Sequence, residues 1–323
     1  MLGATFAVLS ALSFAINNAA ARRGVITGTP IQGMAVTVPM GIALFLLLAI
    51  VTGEILRWAQ YPPRAAAWMA GVGLVHFIFG RYCNYKANQV AGVNLTAPVV
   101  QLQVIVTLVF AVVILKEPCT VLQMIGGALI LAGSLLTQRQ PPTRRDAAKP
   151  PVFVPRYLLG YLFASLAALG YGTSPIMARF ALADSGPVSG ILGGLIAYGT
   201  ATAFVAVALL WPPVRRDVTA LKRENLPWFA YSGLFVAMAQ GFFYAAVAVA
   251  PIMLVMPILQ MSLVFRLIIS TWLNPEHEIF GPIVVMGAGV AMIGSLTVAV
   301  ETDFILSTLA VPDSIAQVLR WRV

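Results

Sequence analysis

Polar side chains set deep in apolar runs are where this sequence can do chemistry, and two adjoining runs hold most of them. In LVHFIFGRYCNYKANQVAGVNLTAPVVQLQ, which begins at Leu74, His76, Gly80, Asn84 and Asn88 recur at every fourth residue and share one helical face. Asn94, Pro98 and Gln101 make a second stripe on the next run. An amide turned toward hydrocarbon costs several kcal/mol, so such stripes either enclose a wet cavity or bond neighbouring helices together, at about 1 kcal/mol per bond. Seven polar or helix-breaking positions in two adjacent runs favour the cavity.

Charge and helix breaks extend the candidate set. Arg81 and Arg266 lie inside apolar runs, where a guanidinium can bind a carboxylate or phosphate; the alternative is that their long stems snorkel to the head groups. His76 can carry a proton or serve as a hydrogen-bonded structural residue. The first run offers Phe14, Asn17 and Asn18, and a later one offers Tyr171, Ser174 and Pro175. Tyr85, Gln240, Tyr244 and Gln260 complete the candidate solute-binding residues. Pro98, Pro175 and Pro257 each remove a backbone N–H within a run, which bends the helix or turns a freed carbonyl to a solute, so they are candidate gates. Phe77, Tyr82, Tyr85, Phe242, Phe243 and Tyr244 add aromatic surface suited to a small amphipathic solute.

The elements that must position these residues are membrane helices. The chain is 60% hydrophobic and 10% charged, with a mean hydropathy of +0.90, more apolar surface than a soluble 34.4 kDa chain can hide. Its net charge of +9 lies between the apolar runs, where it meets anionic head groups, which argues against nucleic acid as a partner. Cys83 and Cys119 have no metal-ligand spacing, so neither a disulfide framework nor a zinc site is expected. The expected fold is an all-α integral membrane protein with ten transmembrane helices: 2–21, 31–52, 65–88, 92–114, 119–137, 157–180, 187–211, 228–249, 252–273 and 279–299. Met1 leads almost directly into apolar sequence without a basic n-region, so the first run is expected to stay as a span. A basic, proline-rich linker (138–156) separates two halves (1–137 and 157–299), and DSIAQVLRWRV in the tail (300–323) can lie on the membrane as an amphipathic helix.

The halves read as copies. ALSFAINNAAAR (Ala11 to Arg22) lies over ALGYGTSPIMAR (Ala168 to Arg179), and GTPIQG (Gly28 to Gly33) over SGPVSG (Ser185 to Gly190). Tyr85, Pro98, Gln101 and Glu117 lie over Tyr244, Pro257, Gln260 and Glu276, and GSL at Gly133 over GSL at Gly294. A repeat with an odd number of crossings must enter the membrane from opposite sides, so the two five-helix repeats are inverted. That is an architecture of secondary transporters, because two similar halves of opposite orientation give two similar states open to either side. Duplication without transport is the bland alternative.

These segments resemble the paired domains of the EamA family in the drug/metabolite transporter superfamily. The aromatic-rich third span, the proline-bearing fourth, an acidic loop and a glycine-rich fifth read here as YCNYKANQVAGVNLTAPVVQLQ, LKEPCT and QMIGGALILAGSLL. They recur as FFYAAVAVAPIMLVMPILQ, NPEHE and VMGAGVAMIGSLTV. The resemblance implies a central cavity lined by the first, third, fourth, sixth, eighth and ninth helices, export of amino acids or similar metabolites, and both termini in the cytoplasm. The expected location is the plasma membrane, the bacterial inner membrane, and the expected partners are a small-molecule substrate and the lipid bilayer around a monomer, with no metal or cofactor.

Small multidrug members of that superfamily couple to protons through a glutamate in the first span. Here that region carries Asn17 and Asn18, and none of the ten spans has an acid near its middle, which favours a facilitator or exchanger over proton coupling. A proton-coupled antiporter using His76 remains an alternative, as does an intramembrane lipid-modifying enzyme, although no DDxxD, HExxH or GxSxG pattern occurs. Glu117 and Glu276, beside Pro118 and Pro275, read as solvated turns. The basic residues cluster on the face opposite the termini, from Arg22, Arg23 and Lys86 to Arg215, Arg216, Lys222 and Arg223. The positive-inside rule therefore places the termini outside, against the resemblance.

Overall fold

The computed structural model describes residues 2–114, 119–138, 153–185, 190–249, 258–259, 261–276 and 281–321, and the described residues form helices and no strand. Long apolar runs dictate this, because a backbone in hydrocarbon must satisfy every N–H and C=O within its own segment. In chain order the helices are α1 Leu2–Thr27, α2 Pro30–Val51, α3 Pro63–Val72, α4 Arg81–Ala91, α5 Val93–Val100, α6 Leu102–Val113 and α7 Val121–Gln138. There follow α8 Tyr157–Ser185, α9 Gly190–Ala208, α10 Pro212–Thr219, α11 Leu226–Val249, α12 Ser262–Leu273, α13 Pro282–Ala299, α14 Thr302–Thr308 and α15 Asp313–Arg320. Leu2–Thr27, Pro30–Val51, Val93–Val113 and Gly190–Ala208 are each long and apolar enough to cross a bilayer. Large apolar side chains such as Leu47, Leu131, Trp272 and Ile293 point outward, as lipid-facing residues do. The protein is a multi-pass membrane protein.

Several segments differ in extent from the hydropathy reading. The first helix continues to Thr27 rather than stopping near residue 21, and α8 continues to Ser185 rather than 180. Hydropathy marks where hydrocarbon ends, whereas a helix ends where its backbone bonds end. At α2 that limit is set by a capping box: Thr29 accepts from the Gln32 N–H, Gln32 bonds back to Thr29, and Pro30 opens the helix.

Two spans are broken, and both breaks matter below. Between α3 and α4 the residues Gly73–Gly80 form a π-helix, and Gly73 lets this segment lie against the Ala197 carbonyl of α9. Between α5 and α6 the helix turns at Gln101, three residues after Pro98, whose missing N–H and bulky ring disrupt the bonding ladder. Gly92, at φ 86°, makes the tight reversal from α4 into α5 that other residues rarely adopt.

Alternation of the helices and the contacts of their ends define two faces. One carries the α1–α2, α4–α5 and α10–α11 junctions and the start of α8; it is called the linker face. The other carries the start of α1 and the tail, where Thr120 and Thr302 share a hydrogen bond of 2.7 Å and the Val121 N–H bonds Trp321 O; it is called the terminal face.

Helix pairs from the two halves pack through glycine. A Cβ on Gly126 of α7 would come 2.9 Å from Gly294 O of α13, and one on Gly133 would collide with Gly287 O. Gly41 of α2 lies flat on the Tyr198 ring of α9, and Gly194 of α9 packs on Phe45, whose ring stacks on Tyr198 at 5.4 Å.

Candidate solute cavity

The two helix breaks bring separate polar groups to one cavity of about 430 Å³. On an α-helix His76 and Arg81 would point about 140° apart, at 100° per residue. The wider π turn between them places residues five apart on one side, so both line the cavity, together with Asn84 and Tyr85 on α4. From α5 onward the lining is Gln101, Gln103, Thr107 and Ala111, which descend α6 toward the terminal face. Phe14, Asn17 and Asn18 of α1, Tyr171, Ser174 and Pro175 of α8, Val236 of α11 and Arg266 of α12 complete it.

Hydrogen bonds fix most of these side chains. Asn84 Nδ2 donates to Asn18 Oδ1 at 3.2 Å, and Asn18 Nδ2 donates to Phe14 O at 2.8 Å. Ser232 donates to Asn17 Oδ1 at 2.7 Å and lies 3.0 Å from the Tyr85 hydroxyl. His76 Nδ1 is 2.8 Å from Ser174 Oγ, which donates at 3.1 Å to the Tyr171 carbonyl, the one that Pro175 leaves without a helical N–H. Thr107 likewise covers the Gly172 carbonyl at 2.8 Å. Gln101 donates to Ser295 at 3.1 Å and accepts from Gln103 at 3.3 Å.

The arginines are held differently. Arg81 is 3% exposed and does not snorkel: it donates to the Tyr198 hydroxyl at 3.2 Å and lies over the Phe77 ring at 5.0 Å. All its partners are neutral. Arg266 reaches the cavity from α12, and among the described residues its buried Nε has no hydrogen-bond partner.

With this cavity in place, the first part of the chain shows a likeness to a known family. Residues 1–139 match the EamA-like transporter family. This is a family of transporters within the drug/metabolite transporter superfamily. One solved crystal structure has a TM-score of 0.54 to this chain at 17% identity, covering 96% of this chain and 99% of the other, which shows a shared fold. No curated protein matches the sequence.

The EamA-like half supplies much of the lining, but not all candidates from sequence reach it. Asn94 is buried away from the cavity, accepting from Ser270 at 2.6 Å and donating to Thr271 at 3.2 Å, so it joins α5 to α12. Asn88 is buried beside it and accepts from Thr96 at 2.8 Å, and Pro98 is packed inside α5. Gln240 is half-buried on α11 outside the lining. Among the proposed aromatic wall, Tyr85 lines the cavity, whereas Phe77 stacks on Tyr198 at 3.9 Å and Phe243 packs near Ala7. Pro257, Gln260, Glu117 and the Tyr244 side chain lie outside the described residues. Gln103, Thr107 and the Arg81 partner Tyr198 were missed; the first two stand four apart on α6, a signal masked by the break at Gln101.

Above the cavity, polar bonds between elements close the linker face. Arg22, fully buried, donates to the Asn88 carbonyl and, at 2.8 Å, to that of Gln89 near the end of α4, and it lies over Phe153 at 4.4 Å. Gln89 donates to Gly28 O at 2.9 Å. Across the halves Asn274 donates to Ala19 O at 3.1 Å, Thr27 to Asn225 at 2.8 Å, Thr29 to Asp217 at 2.7 Å and Gln32 to Asp217 O at 2.7 Å. The cavity lining on α1 stops at Asn18, one turn short of Arg22.

Proposed function

We propose that this protein is a secondary transporter that moves a small amphipathic metabolite, an amino acid or a related compound, by alternating access, in the export direction, across the bacterial inner membrane. The observation that carries this reading is the polar cavity between the two halves, shut toward the linker face and extending along α6 toward the terminal face. The architecture that goes with it is ten spans in two inverted repeats, 1–137 and 157–299. The glycine contacts support it: Gly133 lies over Gly294 in the repeat and Gly126 over Gly287, so exchanging the halves turns the Gly126–Gly294 contact into Gly133–Gly287. The Gly41–Tyr198 contact joins repeat mates directly. Contacts that map onto themselves in this way are what a two-fold axis between the halves produces.

Single cysteines at Asn84, Gln101, Tyr244 and Gln260, in a chain lacking Cys83 and Cys119, should react with a soluble thiol reagent; inertness at most of these positions would remove the cavity from the transport path. Exchange of solute across liposomes should persist without a pH gradient, because no carboxylate lies near the middle of a span. Loss of uptake on collapsing the gradient would make His76 a proton carrier and end the facilitator reading.

A further inference from the structure

The charge balance of the cavity narrows the class of solute. Two guanidiniums, those of Arg81 and Arg266, reach it, and none of the eleven Asp and Glu residues of the chain falls inside any of the ten expected spans. Charged donors are in surplus: among the described residues the buried Arg266 Nε has no hydrogen-bond partner, and Arg81 has only hydroxyl and ring partners. Several of the neutral acceptors are already engaged. Asn17 Oδ1, Asn18 Oδ1 and Gln101 Oε1 accept from Ser232, Asn84 and Gln103, while the Tyr171 and Gly172 carbonyls accept from Ser174 and Thr107. A buried guanidinium needs a counter-charge, and a planar oxyanion meets its fork with paired hydrogen bonds. An ammonium group would find two like charges beside it and no carboxylate in any expected span to balance it.

We infer that the cavity selects organic anions that lack an ammonium group, with a carboxylate or phosphate head at Arg266 and Arg81 and a ring-sized apolar body among Phe14, Tyr85, Leu108 and Val236. This rests on the reading of the cavity as the solute path, and it separates related acids from the zwitterionic amino acids within that reading. Arg266 brings a full positive charge to the cavity with no acid in any expected span, so an anion balances the site rather than merely fitting it.

The test uses compounds that share one ring and differ in charge: 3-phenylpropanoate, phenyl phosphate, phenylalanine and phenethylamine, bound to the full chain in nanodiscs. One of the two anions should bind at least about tenfold tighter than phenylalanine, as expected for a charge-assisted bond pair, and phenethylamine should not compete. The stronger anion identifies the head group as carboxylate or phosphate. R266Q should weaken that anion about tenfold, and R266K, which keeps the charge, by less. Equal binding of phenylalanine, competition by phenethylamine, or no binding of either anion overturns the inference. Anion binding without counterflow across liposomes ends the transport reading and leaves the anion site standing; equal counterflow of phenylalanine and 3-phenylpropanoate does the reverse.

Discussion

The linker face and the terminal face carry different chemistry at positions that the proposed repeat would pair. Arg22 at the linker face is fully buried between α1 and α4, whereas its repeat mate Arg179 is exposed. Ser270 and Thr271, which bond Asn94, have Ala111 and Val112 as their counterparts in the register that lays Pro98 over Pro257. Among the described residues, the buried Arg22 and the bonds that Thr27, Thr29 and Gln32 make to the second half all stand at the linker face. Two access states of one framework need not be equal in energy: with each bond between the halves worth about 1 kcal/mol net, a few of them set which side rests closed.

Arg22→Ala is expected to disturb this balance most, because it leaves the Asn88 and Gln89 carbonyls short of a donor in a buried site, at about 2–3 kcal/mol. A cysteine at Asn18 should then become reactive from the linker side, and an unchanged labelling rate would mean that Arg22 does not hold that face shut. Asp217→Ala removes the bond from Thr29 and should raise the same rate about fivefold, equivalent to roughly 1 kcal/mol. On the proposed repeat, Pro98→Ala and Pro257→Ala should bias access in opposite directions, by about 1 kcal/mol or less; shifts toward the same face would break the two-fold picture. Arg179→Ala should change labelling and melting temperature least, within about 0.5 kcal/mol, because its side chain is exposed. A large effect there would erase the contrast with Arg22.

Sequence alone was most informative where periodicity stayed regular. Asn17, Asn18, Tyr171 and Ser174 sit on unbroken helices, and the apolar pattern that located those helices also located the cavity lining. Regularity failed at the π turn and at Gln101. A four-residue stripe linking His76 to Asn88 omits Arg81, which shares the cavity with His76 only because one turn is wider. Asn94 was indistinguishable from Gln101 by type and spacing, and their difference lies in partners on α12 that no local pattern encodes. Tyr198 and Ser232, which hold Arg81 and Asn17, come from the other half of the chain and become visible as partners only once the helices are packed.

The π turn has a consequence for motion. A π segment holds one residue more than the α-helix it interrupts, and that surplus can migrate along the rod while both ends of the span stay anchored. Each step of such migration across the 73–80 region would turn the residues it passes by about 100°, swinging the Arg81 cation relative to the imidazole without tilting the helix. Deleting a single residue between Gly73 and Gly80 should freeze that rotation: the span would still insert, but labelling of a cysteine at Asn84 should no longer respond to solute.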